Sequence, residues 1–175
     1  MWITQTYLGS VEPDADIFVY YLYEDYVNEQ KQFTEKVQED LERIGDTFND
    51  EVSLLIPNPK YADKIEAEVR EIRPLWMHVK GSLPGLLISP VPLVKLDRFT
   101  DECYFIPFDT RSRFRVAETI KNARSLISDE LSIKRTNRDN EVKPSYRKIG
   151  DAIELKPGIF GFRVDLKKLF SEMRR

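Results

Sequence analysis

The stretch Lys80-Gly81-Ser82-Leu83-Pro84-Gly85-Leu86-Leu87-Ile88-Ser89 decides the fold of this chain. In it an apolar strand begins directly after a Pro-Gly pair, a dipeptide that marks turns. Patterns typical of helices and of strands lie on both sides of it. The stretch therefore predicts the middle of an α/β layer, in which Leu86-Leu87-Ile88 is the third core strand.

The other core strands are predicted from apolar runs around this stretch. Asp16-Ile17-Phe18-Val19-Tyr20-Tyr21-Leu22-Tyr23 is a continuous β-branched and aromatic run, which is typical of a strand buried on both faces. Val52-Ser53-Leu54-Leu55-Ile56 predicts a second strand, and Cys103-Tyr104-Phe105-Ile106 predicts a fourth. Trp76-Met77-His78-Val79 fits either a short strand or a packed connection.

Three helices are predicted between these strands. In the first, five apolar residues share one helix face, namely Phe33, Val37, Leu41, Ile44 and Phe48. The second follows the capping pair Asn58-Pro59 and should end at Arg73, because Pro74 disfavours helical geometry in the residue before it. The third runs from a cap at Asp109 or Thr110 to about Leu131. Its expected buried residues are Phe114, Ala117, Ile120, Ile127 and Leu131.

The apolar pattern stops after this helix, and the charge becomes basic. We therefore expect an α/β domain at residues 1–131, a basic linker at 132–149 and a C-terminal extension at 150–175. Within the extension, apolar runs on both sides of Pro157-Gly158 predict a β-hairpin docked on the main domain or on a second copy. Its candidate partner-binding residues are Phe160, Phe162, Val164 and Leu166.

Charge is distributed unevenly along the chain, whose formal net charge is −3. Residues 1–60 carry 4 basic and 13 acidic side chains, whereas residues 111–175 carry 17 basic and 9 acidic ones. This asymmetry predicts either a basic arm for an anionic partner or attraction between the two ends, within one chain or between subunits.

Composition excludes several classes of protein and of site. Cys103 is the only cysteine, so an intrachain disulfide, a Cys-x-x-Cys pair and a multi-thiolate zinc site are impossible. The chain is 41% hydrophobic and 33% charged, which is typical of soluble globular proteins. No apolar run approaches the roughly 20 residues that span a bilayer. The N-terminus lacks the features of a signal peptide. We expect a cytoplasmic protein that does not bind a membrane.

The order strand, helix, strand, helix, Leu-Pro-Gly, strand, strand, helix over residues 16–131 resembles the thioredoxin-like fold. In that family a cis proline opens the third core strand and faces the redox motif at the start of the first helix. Pro84 matches this proline by position. The resemblance implies a three-layer α/β fold with helices on both faces of the sheet and a cis Leu83–Pro84 bond, to which the C-terminal β-hairpin extension is added. A doubly wound sheet of the flavodoxin or TIR type is the alternative.

The resemblance fails where the family has its redox chemistry. The turn Glu24-Asp25-Tyr26-Val27-Asn28-Glu29-Gln30 contains no cysteine, and a disulfide relay needs two thiols. Cys103 could be a nucleophile only if the fold brought it to His78, the single histidine, so its expected role is a small buried hydrophobe. The chain contains neither a glycine-rich phosphate loop nor an EF-hand. We therefore expect no cofactor and no metal.

Arg111, Arg113 and Arg115 are candidate anion-binding residues, because backbone N–H groups at the start of a helix favour an anion. Residues two apart on a helix diverge by about 200°, which weakens this hypothesis. The patterns together predict a non-catalytic, cytoplasmic protein-recognition or assembly module with a redox-inactive thioredoxin-like layout, bound to a protein partner or to itself. The alternative is a nucleotide- or nucleic-acid-binding or processing protein that acts through its basic C-terminal half. A purely structural subunit is a third possibility.

Overall fold

The computed structural model describes residues 3–4, 11–12, 14–24, 27–58, 61–96, 102–139 and 162–165. The strands are β1 (Ile3–Thr4), β2 (Ile17–Leu22), β3 (Val52–Leu55), β4 (Gly85–Ser89), β5 (Glu102–Pro107) and β6 (Phe162–Asp165). The helices are α1 (Asn28–Phe48), α2 (Ala62–Glu71), α3 (Arg73–Val79) and α4 (Arg113–Asp139). None of the helices in these ranges is both long and apolar enough to cross a membrane.

The strands form one mixed sheet in the order β1-β3-β2-β4-β5-β6. β1, β3 and β2 are parallel, whereas β4 is antiparallel to both β2 and β5, and β6 is antiparallel to β5. The register pairs Leu22 with Gly85 and Gly85 with Pro107. The carboxyl ends of β2, β3 and β5 therefore meet the amino end of β4 at one edge of the sheet, which we call the carboxyl edge.

Alternate residues of the strands enter two hydrophobic clusters, as expected for strands that are apolar on both faces. Val19 and Tyr21 belong to the cluster that contains buried residues of α1 and α4. Phe18 and Tyr20 belong to the cluster that contains residues of α2 and α3. The mixed α/β class is confirmed, and so is the buried face of α1, in which Phe33, Val37, Leu41 and Ile44 are buried and Phe48 packs against them.

The stretch around Pro84 forms the entry to β4, as predicted. The Leu83–Pro84 peptide bond is cis. The carbonyl of Pro84 accepts a hydrogen bond of 2.8 Å from the backbone N–H of Phe108. This bond joins the start of β4 to the end of β5.

The start of α4 differs from the prediction. Ser112 precedes the helix, and its Oγ accepts the backbone N–H of Arg115 at 3.4 Å, so the cap is neither Asp109 nor Thr110. The face predicted for burial is also wrong near this end, because Phe114 and Ala117 are exposed. Sequence alone did not show which of several capping residues begins the helix. The buried residues are Val116, Ile120, Ala123, Ile127 and Leu131.

The far end of α4 also differs, because the helix continues to Asp139 rather than ending near Leu131. Residues 132–139, which begin the predicted basic linker at 132–149, are therefore helical. Lys134 stabilises this longer helix, since its Nζ donates hydrogen bonds to the backbone carbonyls of Asp16 and Pro90, the latter at 2.8 Å. Arg135 pairs with the carboxylate of Glu51 nearby. Residues 140–149 lie outside the described ranges.

The segment between β3 and β4 contains two helices rather than one. α2 begins at Ala62 instead of directly after Asn58, and it ends at Glu71. Pro74 lies in the first turn of α3, where a missing N–H costs nothing. The predicted end at Arg73 is therefore wrong, because the break between the helices lies at Ile72 and Arg73 is already the first residue of α3. The ambiguous residues 76–79 belong to this new helix.

β6 is the described part of the C-terminal extension. The backbone register pairs Phe162 with Phe105 and Val164 with Cys103, so β6 adds an edge strand to the main sheet. The other arm of the predicted hairpin lies outside the described residues, as do the candidate partner-binding residues Phe160 and Leu166. The hairpin itself therefore stays a prediction.

Candidate functional site

The carboxyl edge is where ligands bind in α/β sheets, because loops that follow the strands meet there. Three groups of residues lie along it in this chain. They are the turn before α1, a small pocket beside α2 and α3, and the residues that lead into α4.

Gln30, in the first turn of α1, holds the first group together. Its Oε1 accepts the backbone N–H of Glu24 at 2.7 Å, and its Nε2 donates to the carboxylate of Glu24 at 3.1 Å. The same Nε2 lies 3.3 Å from the carbonyl oxygen of Leu83. One side chain thus joins the end of β2, the start of α1 and the residue before Pro84.

The pocket lies beside this turn and is mostly apolar. Its volume is about 10 Å³, which is room for about one water molecule. Sites for small-molecule ligands occupy roughly 300–1,000 Å³, so the pocket as it stands does not enclose a metabolite. It is lined by Leu22, Tyr23, Pro57, Ala62, Ile65, Glu66, Val69, Trp76 and Leu83.

Glu66 places a carboxylate in this apolar surrounding. Its side chain is only 8% exposed and pairs with Arg70, one helical turn later on α2. The guanidinium carbon of Arg70 lies 4.8 Å from the centre of the Trp76 ring, which belongs to α3. The pocket wall therefore contains a buried carboxylate and an aromatic side chain, and the guanidinium of Arg70 contacts both of them.

The third group contains the predicted anion-binding residues. Asp109 accepts Arg111 Nε at 3.1 Å and Arg115 Nη1 at 2.6 Å. Hydrogen bonds from the side chain and backbone of Arg111 are the main reason that the pKa of Asp109 is lowered. Arg113 is exposed and forms no ion pair within the described part of the chain. The structure thus brings Arg111 and Arg115 together on one carboxylate and leaves Arg113 apart from them.

Phe114 lies among these arginines and is 78% exposed, the largest exposure of any large hydrophobic side chain in the described ranges. It lies in the first turn of α4, the helix that follows the carboxyl end of β5, so it belongs to the carboxyl edge.

Cys103 and His78 do not form a reactive pair. Cys103 is completely buried in the cluster beneath α2 and α3, which confirms the burial predicted for it. His78 is exposed on α3, and its Nδ1 lies 3.0 Å from the carbonyl oxygen of Pro74. Within the described ranges, no group of three or more His, Cys, Asp or Glu side chains could hold a metal ion.

Sequence reasoning did not single out Gln30, Glu66, Arg70 or Trp76. The available signal was the spacing of Glu66 and Arg70, since acidic and basic residues four apart on a helix interact. That spacing is also typical of exposed helix surfaces, and the buried stripe of α2 at Ile65 and Val69 gave no warning that the adjacent glutamate is buried too.

Comparison with known proteins assigns no family to this chain. No family model, no curated protein and no solved structure matches it. Function is therefore inferred from the residues of the carboxyl edge.

Proposed function

We propose that this protein is a non-catalytic, cytoplasmic protein-recognition or assembly module with a redox-inactive thioredoxin-like layout, and that it binds its partner at the carboxyl edge. The layout is supported by the position of Pro84 at the entry to β4, between the predicted helices and strands. The layout is also supported by the hydrogen bond of 3.3 Å from Gln30 Nε2 to the carbonyl oxygen of Leu83. This bond brings the start of α1 to the residue before Pro84. The turn at this point has Glu24 and Gln30 in place of a redox motif.

The exposure of Phe114 is the observation that carries the proposal for protein binding. Burying such a side chain contributes roughly 1.5–3 kcal/mol. A single exposed hydrophobic residue is common on protein surfaces. Phe114, however, lies on the same edge as the apolar pocket, and that pocket is too small for a free metabolite. Aromatic side chains are enriched at protein–protein interfaces, so this exposed edge suits contact with another polypeptide.

A phage-displayed library of random peptides, panned against the native protein, tests this proposal. We expect enriched peptides whose binding is lost in Phe114→Ser. Val94→Ser is the matched control, because Val94 is 58% exposed and follows β4 at the opposite edge of the sheet. Failure to enrich any peptide, or equal binding to Phe114→Ser, would contradict the proposal. If the partner is a second copy, Phe114→Ser should instead lower the mass measured by light scattering.

A nucleotide- or nucleic-acid-binding function is the second candidate, and it is favoured by the exposed Arg113 next to the exposed Phe114. Nucleic-acid sites combine cationic grooves with aromatic side chains that stack on bases. Asp109 weakens this candidate, because it already pairs with Arg111 and Arg115. Binding of a single-stranded oligonucleotide that falls steeply with salt and is lost in Arg113→Ser would favour this second function over the first.

A further inference from the structure

We infer that the pocket between α2 and α3 is a binding site for a cationic side chain, the guanidinium or ammonium group of an arginine or lysine in the partner polypeptide. This inference rests on the proposed function and names the chemistry that part of the carboxyl edge recognises. Its central residues are Glu66, Arg70 and Trp76.

The buried carboxylate of Glu66 is the first reason. Glutamate is almost never buried unless it is paired, since removing an ionised carboxylate from water is costly. Here the carboxylate lies among the apolar residues that line the pocket, such as Ala62 and Ile65. Charges attract more strongly in such surroundings than in water. The pocket wall therefore favours a positive charge beside it.

The face of Trp76 is the second reason. A cation within about 6 Å of an aromatic ring centre is attracted by the ring, and tryptophan gives the strongest interaction. Arg70 satisfies this geometry at 4.8 Å and contacts Glu66 with the same guanidinium. The chain's own side chain thus shows that the site accepts a guanidinium.

Arg70 is a replaceable occupant. Its side chain is 48% exposed, whereas that of Glu66 is 8% exposed, so the arginine approaches the acid from the solvent side. Its flexible stem allows the guanidinium to leave without a change in α2. An incoming cation takes the position beside Glu66 and Trp76 that the guanidinium of Arg70 now occupies, so it has to displace Arg70.

The surroundings of the pocket also favour a basic partner segment. Glu24 lies at the end of β2 beside the pocket, and residues 1–60, which supply this strand, carry far more acidic than basic side chains. The apolar lining from Leu22, Val69 and Leu83 suits the aliphatic stem of lysine or arginine, which packs on apolar surface while its head stays polar.

Titration with N-acetyl-arginine methylamide tests the site directly, with the neutral isostere N-acetyl-citrulline methylamide as the control probe. The indole N–H of Trp76 is the reporter in an NMR spectrum, and it can be assigned with Trp2→Phe because the chain has only two tryptophans. In Arg70→Gln we expect a saturable shift with the arginine probe and none with the citrulline probe. The wild type should respond in the same direction but bind about tenfold more weakly, because Arg70 competes for the site.

The charge of Glu66 is tested in the same background. The double variant Arg70→Gln/Glu66→Gln should show no shift of the Trp76 indole N–H with the arginine probe. The double variant Arg70→Gln/Glu71→Gln should still show it, since Glu71 is an exposed acid on the same helix. If Arg70→Gln does not fold, titration of the wild type and of the single variants Glu66→Gln and Glu71→Gln at higher probe concentration gives the same comparison. No saturable shift in any folded variant, or equal shifts with both probes, would overturn the inference.

The peptide selection separates this inference from the proposed function. One possible result is a set of peptides that need Phe114 but carry no excess of lysine or arginine and bind Glu66→Gln as well as the wild type. This result would support the proposed function and contradict the cation site. Binding of the arginine probe without enrichment of any peptide would instead support the cation site and contradict the proposed function.

Discussion

Gly85→Ala should destabilise this protein, because the structure leaves no space for a Cβ at the entry to β4. A Cβ built on Gly85 would lie 2.3 Å from Cζ and 2.8 Å from Cε2 of Phe105, and 2.9 Å from the backbone oxygen of Ile106. Real Cβ atoms do not approach heavy atoms this closely. Either the Phe105 ring or the β4–β5 pairing therefore has to shift.

A shift of the Phe105 ring would lower the stability of the fold. The ring is fully buried in the cluster that also contains Leu87 and Cys103. Extra atoms forced into a packed core cost typically about 1–3 kcal/mol. The backbone oxygen of Ile106 adds a second obstacle that no change of rotamer removes, so we expect a loss in the upper half of this range.

Urea unfolding followed by circular dichroism measures the loss as a lower midpoint with an unchanged slope. Gly81→Ala is a matched control, because no atom lies within 4 Å of the Cβ position at Gly81, whose φ is +80°. That variant should lose about 1–2 kcal/mol through backbone strain alone.

Phe105→Leu distinguishes the two mechanisms, since it shortens the side chain that the new Cβ meets. In this background Gly85→Ala should cost less than in the wild type, whereas the cost of Gly81→Ala should not change. Equal costs of Gly85→Ala in both backgrounds, or an unchanged midpoint for Gly85→Ala alone, would refute the reasoning.

Three further predictions concern the core, the extension and the region around α4. Native protein should react slowly with a thiol reagent at Cys103 and quickly in urea, and Cys103→Ser should cost about 1–3 kcal/mol of stability, measured by urea unfolding, because it buries a hydroxyl. A chain that ends at Lys148 lacks β6, so it should melt at a lower temperature than a chain that ends at Asp165 and should self-associate through the open edge of β5, as measured by light scattering. Burial, together with the nearby Glu130, raises the pKa of Tyr104 to about 12. Because the protonated phenol is favoured in the fold, its stabilisation is present below about pH 10 and is lost as the pH rises through about 12, and urea midpoints of Tyr104→Phe should lack this part of the alkaline decline.

Local patterns predicted the elements whose burial follows a simple period. α1 shows this best, because its apolar residues repeat along one face and no proline or competing cap interrupts them. The run from Ile17 to Leu22 predicted a strand that the structure buries on both faces. The position of Pro84 predicted the cis bond through the family resemblance.

Other features depend on contacts between residues far apart in the sequence, and the periodic spacing of apolar residues does not reveal such contacts. The last turns of α4 are stabilised by Lys134, whose partners at Asp16 and Pro90 are far away in the chain. The start of α4 was misjudged because Asp109, Thr110 and Ser112 are all capping residues. A shift of the start by a few residues changes which face is buried, since each residue turns by about 100°. The pocket could not be predicted at all, because its walls come from β2, α2, α3 and the segment before β4.

The same ten residues that decide the fold also form part of the candidate site, which limits the substitutions that can test function. Leu83 lines the pocket and accepts a hydrogen bond from Gln30, while Pro84 bonds to Phe108 and Gly85 packs against Phe105. A change at any of these three positions alters the β4–β5 pairing and the pocket wall together, so a loss of binding there would not separate recognition from stability. Phe114 is exposed and Arg70 is about half exposed, both on helices, and neither side chain packs against the β4–β5 pairing. At unchanged melting temperature, a loss of peptide binding in Phe114→Ser and tighter binding of the arginine probe in Arg70→Gln are therefore the changes that report on recognition.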